Sequence, residues 1–160
     1  MRNRFLLFAL SVAASAAAQR HETTLADGWA FSRDKAQLEN VAVPHDWAIS
    51  GPFDKKWDLQ TVAIEQNGEK EKTEKSGRSG ALPWIGEGHY RTTVTIPAGC
   101  AHAELVFDGA MSEPTVSVNG QRAGYWAYGY NAFKVDITPF IKAGDNLVEV
   151  DLKNVEESSR

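Results

Sequence analysis

The segment of this sequence best suited to chemistry is a run of aromatic residues. Residues 125–130 read Tyr-Trp-Ala-Tyr-Gly-Tyr, directly after a predicted hairpin. Sugars present flat apolar C–H faces, so exposed aromatic rings stack on them while tyrosine hydroxyls supply hydrogen bonds. Trp126, Tyr128 and Tyr130 are therefore the candidate substrate-binding residues. The alternative is that these rings anchor the loop to its own domain or to a neighbouring one, since buried Tyr and Trp are common.

The carboxylates give no candidate for acid–base catalysis. Hydrolysis of a glycosidic bond needs two carboxyl groups that flank the bond, about 5–10 Å apart. The acids considered for this role are Glu87, Glu104, Asp108 and Glu113. Their spacing marks out no pair, and ordinary surface charge is the favoured interpretation. We predict that this chain contains no catalytic residue.

His45 and Asp46 lie in the sequence Pro44-His45-Asp46-Trp47 and invite a catalytic interpretation. Neighbouring residues of an extended chain point to opposite faces, so these two side chains are poorly placed to act as a dyad. We predict an architectural role instead. Pro44 ends a strand, Asp46 accepts backbone hydrogen bonds in a turn, and Trp47 is buried.

Metal and cofactor chemistry is not expected. The histidines, at positions 21, 45, 89 and 102, have no close metal-ligand spacing. Cys100 is the only cysteine and lies in a predicted turn over residues 97–100, so it forms no intrachain disulfide and is interpreted as structural. Phosphate-loop, nucleophile-elbow and calcium-loop patterns are absent from the sequence.

Alternation of apolar and polar residues predicts several short strands that would position the aromatic loop. The alternating or apolar runs cover residues 29–31, 41–43, 90–96, 103–108, 115–119, 133–137 and 148–153. This period of two places one face of each strand in a core and the other in water. Short strands without intervening helices indicate an all-β fold, an antiparallel β-sandwich or jelly roll.

The predicted turns agree with this fold. Asn119-Gly120 is a strong signal for a two-residue hairpin. Thr138-Pro139 is typical of a cap followed by proline, with one helical turn over residues 140–142. The charged segment from Glu65 to Gly80 is either a solvated hairpin around Asn67-Gly68 or a mobile loop.

The first residues predict export. Basic residues at positions 2 and 4 precede an apolar run over residues 5–12, and Ala16-Ala17-Ala18 supplies a cleavage site. We therefore predict a signal peptide over residues 1–18, a β-sandwich over residues 19–160, and a periplasmic or extracellular location. A buried N-terminal helix is the alternative. The formal charge of −4 gives no reason to expect binding to nucleic acid or to a membrane after cleavage.

Three blocks of the sequence together carry a family resemblance. They are residues 43–49 (VPHDWAI), residues 77–91 (GRSGALPWIGEGHYR), and an ordered set that comprises FDG at 107–109, VNG at 118–120, GYNAF at 129–133, DIT at 136–138 and GDN at 144–146. In this order the blocks resemble the N-terminal, galactose-binding-domain-like jelly roll of glycoside hydrolase family 2. The second block is most similar to exported enzymes of the β-galactosidase type.

The resemblance implies a longer enzyme in which this jelly roll precedes an immunoglobulin-like sandwich and a TIM barrel. In that family the barrel carries both glutamates of a retaining mechanism, and a barrel needs about 250 residues. We therefore expect this chain of 160 residues to be truncated, to lack the last strand of the domain, and to be inactive alone. Its partners would be the downstream domains and a β-galactoside-like carbohydrate.

Two further hypotheses stay open. The chain could be a stand-alone carbohydrate-binding module, which requires an accessible aromatic surface that is complete without other domains. It could also be a purely structural fragment with an unpaired sheet edge, which would favour aggregation.

Overall fold

The computed structural model describes residues 20–33, 35, 37–50, 53–54, 65–66, 69–70 and 86–154. The strands in this part of the chain are β1 (Trp29–Ser32), β2 (Glu39–Val41), β3 (Glu65–Gln66), β4 (Glu69–Lys70), β5 (Gly86–Ile96), β6 (Glu104–Phe107), β7 (Thr115–Val118), β8 (Gln121–Tyr125), β9 (Phe133–Asp136) and β10 (Gly144–Asn154). A short 3₁₀ turn spans Thr138–Phe140. Within these residues no helix is long and apolar enough to cross a membrane. The predicted signal peptide, residues 1–18, lies outside the described residues.

The strands form one large antiparallel sheet and two small ones. The large sheet has the order β2-β1-β5-β10-β7-β8, while β6 pairs with β9 and β3 with β4. The longest ladder joins β5 to β10 along their whole length, from Ile96 opposite Gly144 to Gly86 opposite Asn154. Every pairing between the described strands is antiparallel, which confirms the predicted all-β sandwich class.

The core lies between the large sheet and the β6–β9 pair. Its buried residues are Trp29, Phe31, Trp47, Tyr90, Leu105, Val116, Val118, Phe133, Val135, Ile137, Val148, Val150 and Leu152. The two-residue period explains this set, because alternate side chains of a strand share one face. The contact between the sheets is close: a Cβ added to Gly124 on β8 would lie 2.7 Å from Val135 Cγ1 on β9.

The structure contains the predicted β7–β8 hairpin and, in the charged segment, the hairpin that was one of two alternatives. Asn119 and Gly120 both have positive φ, at 51° and 77°, and they connect β7 to β8 as a two-residue turn. Glu65–Gln66 pairs with Glu69–Lys70, as a hairpin in this charged segment requires. Residues 67–68 and 71–80 of the same segment lie outside the described residues.

The second strand differs from the prediction. The run at residues 41–43 was predicted as a strand, whereas β2 covers Glu39–Val41. The reason is the pairing, since Val41 is opposite Trp29 and the strand continues toward Glu39 opposite Phe31. The Val43 N–H instead donates to the Ala26 carbonyl at 2.7 Å.

The predicted cap at Thr138 is wrong. The 3₁₀ turn begins with Thr138 itself, and Ile137 occupies the preceding position without a side-chain cap. The carboxylate of Asp136 accepts the Thr138 N–H at 2.9 Å, and hydrogen bonds from Thr138 lower the pKa of Asp136. The Thr138 hydroxyl accepts the N–H of Ala103 at 3.0 Å, so it connects the turn to the start of β6.

Candidate functional site

The aromatic loop, residues 126–132, joins β8 to β9 and is fixed by a stack of rings. The Trp126 ring lies parallel to that of Phe133, with centroids 5.6 Å apart, and Phe133 stacks in turn on Phe107 at 4.6 Å. The Trp126 indole N–H donates to Asn131 Oδ1 at 2.9 Å, and its backbone N–H donates to the Pro114 carbonyl at 3.0 Å. Trp126 therefore anchors the loop and keeps only part of its surface exposed.

Tyr128 and Tyr130 are the most exposed rings of this loop. Their exposed fractions are 56% and 63%, and their ring centroids lie 5.5 Å apart with planes inclined by 52°. Gly129 between them packs so closely on residue 111 that an added Cβ would lie 3.0 Å from Met111 Cα. The loop thus presents two amphipathic rings from a backbone held against its neighbour, a geometry suited to stacking on a sugar.

His45 and Asp46 serve separate structural contacts, as predicted. His45 Nδ1 lies 2.8 Å from the Tyr90 hydroxyl, while Asp46 Oδ1 accepts the Ala48 N–H at 2.8 Å in a turn. Trp47 is buried and stacks on Phe31 with centroids 5.7 Å apart. Burial, with a smaller contribution from the negative charge of Asp46, raises the pKa of Tyr90.

Two of the acids considered for catalysis are engaged in surface ion pairs. Glu104 on β6 pairs with Lys134 at 3.4 Å, and Glu87 on β5 pairs with Lys153 at 3.4 Å. Exposed pairs of this kind contribute little to stability and do not indicate catalysis. In the part of the chain that the structure describes, no three His, Cys, Asp or Glu side chains form a metal-binding group.

The outer face of the large sheet carries a polar pocket that was not predicted from the sequence. It has a volume of about 180 Å³, and its lining includes Lys35, His89, Arg91, Glu149 and Asp151. His89 Nδ1 lies 2.6 Å from Asp151 Oδ1, and Lys35 Nζ lies 3.4 Å from the same oxygen. The sequence signal for this pocket was the alternation of buried and exposed residues along β5 and β10, which places these side chains on the outer face.

The structure is thus an antiparallel β-sandwich that carries exposed aromatic rings on one loop. The profile of "Glycosyl hydrolases family 2, sugar binding domain" matches residues 7–159. The chain therefore belongs to glycoside hydrolase family 2 as its sugar-binding domain, which confirms the resemblance identified from the three sequence blocks.

The chain spans 12–14% of the length of two curated relatives. The protein named "Putative beta-glucuronidase" of Formosa agariphila is 30% identical over an alignment of 157 residues, and the match covers 89% of this chain and 14% of that protein. Beta-galactosidase BoGH2A of Bacteroides ovatus is 33% identical over 118 residues, which cover 72% of this chain and 12% of the enzyme. The crystal structure of a family 2 member from Bacteroides cellulosilyticus superposes with a TM-score of 0.62 at 25% identity, covering 83% of this chain and 18% of that one.

Proposed function

We propose that this chain is the N-terminal, non-catalytic domain of an exported β-galactosidase-like glycoside hydrolase that degrades carbohydrate. One observation carries the proposal: the family profile matches residues 7–159, while the matched region is only 12–14% of the two curated relatives. The domain supports the rim of an active site whose two catalytic glutamates belong to a downstream barrel. Its other partners are the downstream domains, against which it packs.

Tyr128 and Tyr130 contribute the sugar-facing surface in this proposal, with Trp126 behind them. Support comes from their exposure and from the ring stack that fixes the loop. A rigid loop that carries two exposed tyrosines loses little conformational entropy when a ligand binds.

Export is supported by the sequence of residues 1–18. The signal-peptide pattern of basic residues, apolar run and small residues predicts cleavage after Ala18. N-terminal sequencing of the secreted protein tests this directly. A mature chain that begins at Gln19 is expected, and a chain retained with Met1 would contradict export.

The proposed activity is tested with the longer protein that joins this chain to its downstream domains. We expect it to hydrolyse aryl β-galactosides, with aryl β-glucuronides as the comparison because the relatives' names include both activities. The 160-residue chain alone should hydrolyse neither. Activity of the chain alone would overturn the proposal, as would an inactive longer protein with an intact barrel.

The second candidate function is a stand-alone carbohydrate-binding module, and the exposed Tyr128–Tyr130 pair favours it. This function requires the isolated chain to bind sugars through these rings. The double substitution of Tyr128 and Tyr130 by Ala should then abolish binding to a sugar panel. Unchanged binding by the double variant would rule out this site.

A further inference from the structure

The outer face of the large sheet carries two rows of polar side chains that meet across strands. One row runs through residues paired in register on β5, β10, β7 and β8: His89, Asp151, Thr115 and Tyr125. The neighbouring row contains Arg91, Glu149, Ser117 and Arg122. Side chains opposite each other in antiparallel strands lie on the same face, so both rows form one continuous surface.

We propose that this outer face binds a neutral oligosaccharide, with one sugar unit in the polar pocket and a neighbouring unit against Tyr125. The site is separate from the aromatic loop, whose Tyr128 and Tyr130 are not part of the two rows. The proposal therefore stands or falls independently of the function proposed above.

The charges of the pocket favour a neutral ligand. Among the described lining residues, the positive charges of Lys35 and Arg91 equal in number the negative charges of Glu149 and Asp151. Asp151 is already held by His89 and Lys35. Among the described residues, Arg91 and Glu149 form no ion pair, so the guanidinium donors and carboxylate acceptors are available to sugar hydroxyls.

The pocket size also fits a sugar unit. Its volume of about 180 Å³ is below the several hundred Å³ typical of sites for drug-sized molecules, as expected for a subsite that holds one ring. Leu38, which lines the same pocket and is 46% exposed, offers an apolar contact to the C–H face of that ring.

Tyr125 extends the site beyond the pocket. Its ring is 46% exposed, and the guanidinium of Arg122 lies 5.5 Å from the ring centroid. Strands in a sheet are about 4.8 Å apart, so β5 and β8 in this order are separated by about 14 Å. That span accommodates a short oligosaccharide better than a monosaccharide, so a chain of several units should bind more tightly.

The test is an NMR titration of the full chain with galactose, lactose and β-1,4-linked galactotriose as probes. We expect shifts of the backbone amides of Ser117, Glu149 and Tyr125, with millimolar affinity for the trisaccharide and weaker binding of galactose. Glucuronic acid should bind no better than galactose, because the pocket is charge-balanced. Shifts confined to the aromatic loop, or a preference for the acidic sugar, would overturn the proposal.

Single variants assign the binding to this face. Glu149→Gln and Tyr125→Ala should each weaken trisaccharide binding about tenfold. Glu87→Gln changes an acid on β5 outside the pocket, and it should leave the affinity unchanged. Both Glu149→Gln and Tyr125→Ala alter exposed or half-exposed side chains, and thermal melts verify that they fold. Wild-type affinity in both folded variants would refute the site.

Discussion

Gly88 shows how a single residue decides the packing at one end of the sandwich. It lies in β5 opposite Leu152, and a Cβ built on it would lie 1.7 Å from Cζ3 of the buried Trp47 ring. Trp47 cannot retreat freely, because it stacks on Phe31 and Tyr90. The glycine is therefore required for the aromatic cluster to close.

Substituting Gly88 by Ala should destabilise the domain. We expect a loss of about 1–3 kcal/mol in the free energy of unfolding, because overpacking forces buried rings from their positions. Gly109→Ala is the matched control, since a Cβ at that position would meet no atom closer than the Gly129 carbonyl oxygen, 3.8 Å away. Thermal melts of both variants measure the difference. Equal stability of the two would contradict the packing described here.

Tyr90 should make stability depend on alkaline pH. Burial raises its pKa above the ordinary value of 10.0, so the unfolded chain ionises first as the pH rises. The contribution of Tyr90 is then complete below pH 10.0 and is lost progressively above it. Tyr90→Phe should lower the free energy of unfolding by about 1 kcal/mol at neutral pH, because the hydrogen bond to His45 is lost. Its free energy of unfolding should also fall less steeply as the pH rises above 10.0. Denaturant unfolding of wild type and Tyr90→Phe from neutral to alkaline pH measures how the free energy of unfolding changes with pH. Identical pH dependence in the two proteins would contradict the role given to Tyr90.

At the scale of elements, Asn146 joins the start of β10 to two turns. It is buried at 1% exposure, and its side-chain amide donates to the carbonyls of Lys142 and Gly144, both at 2.8 Å. Its Oδ1 accepts the Lys142 N–H at 2.9 Å and the Asn119 side-chain amide at 2.8 Å. The Asn146 side chain therefore connects the β7–β8 hairpin to the turn at residues 142–144, where β10 begins.

Replacing Asn146 by Ala should cost about 2–4 kcal/mol, because several buried hydrogen-bonding groups lose their partner together. Asn40→Ala, on the exposed edge strand β2, should change stability by less than about 0.5 kcal/mol. Chemical denaturation of the two variants provides the comparison. A similar effect of both substitutions would show that the network is not a stabilising feature.

The strands were predictable because their pattern is local. Phe133, Val135 and the alternate residues of β10 face the core as the period of two requires, and Asn119-Gly120 forms the expected turn. The turn at Thr138 was not predictable, because the Thr138 hydroxyl bonds a residue 35 positions away. Local propensity favours a cap at such a residue, and a tertiary hydrogen bond overrides it.

The two candidate sites also differ in whether the sequence predicts them. Tyr128 and Tyr130 were identifiable from composition, because four aromatic residues cluster in one loop. The pocket was not, since His89 and Asp151 are 62 positions apart and meet only through the β5–β10 ladder. Sequence alone shows that both face outward, but register decides which outward residues become neighbours.

At the scale of the whole molecule, the chain combines a sandwich fold with surfaces suited to sugars and belongs to a family of glycoside hydrolases. Glu87 and Glu104, two of the acids considered for catalysis, pair with surface lysines. We propose that catalysis belongs to a downstream barrel in the same protein.

The most direct test of this claim is to read the gene beyond codon 160. We predict that the reading frame continues into a second β-sandwich and then a TIM barrel that carries two catalytic glutamates. A stop codon immediately after Arg160 would contradict the claim, and the chain would then be at most a sugar-binding module.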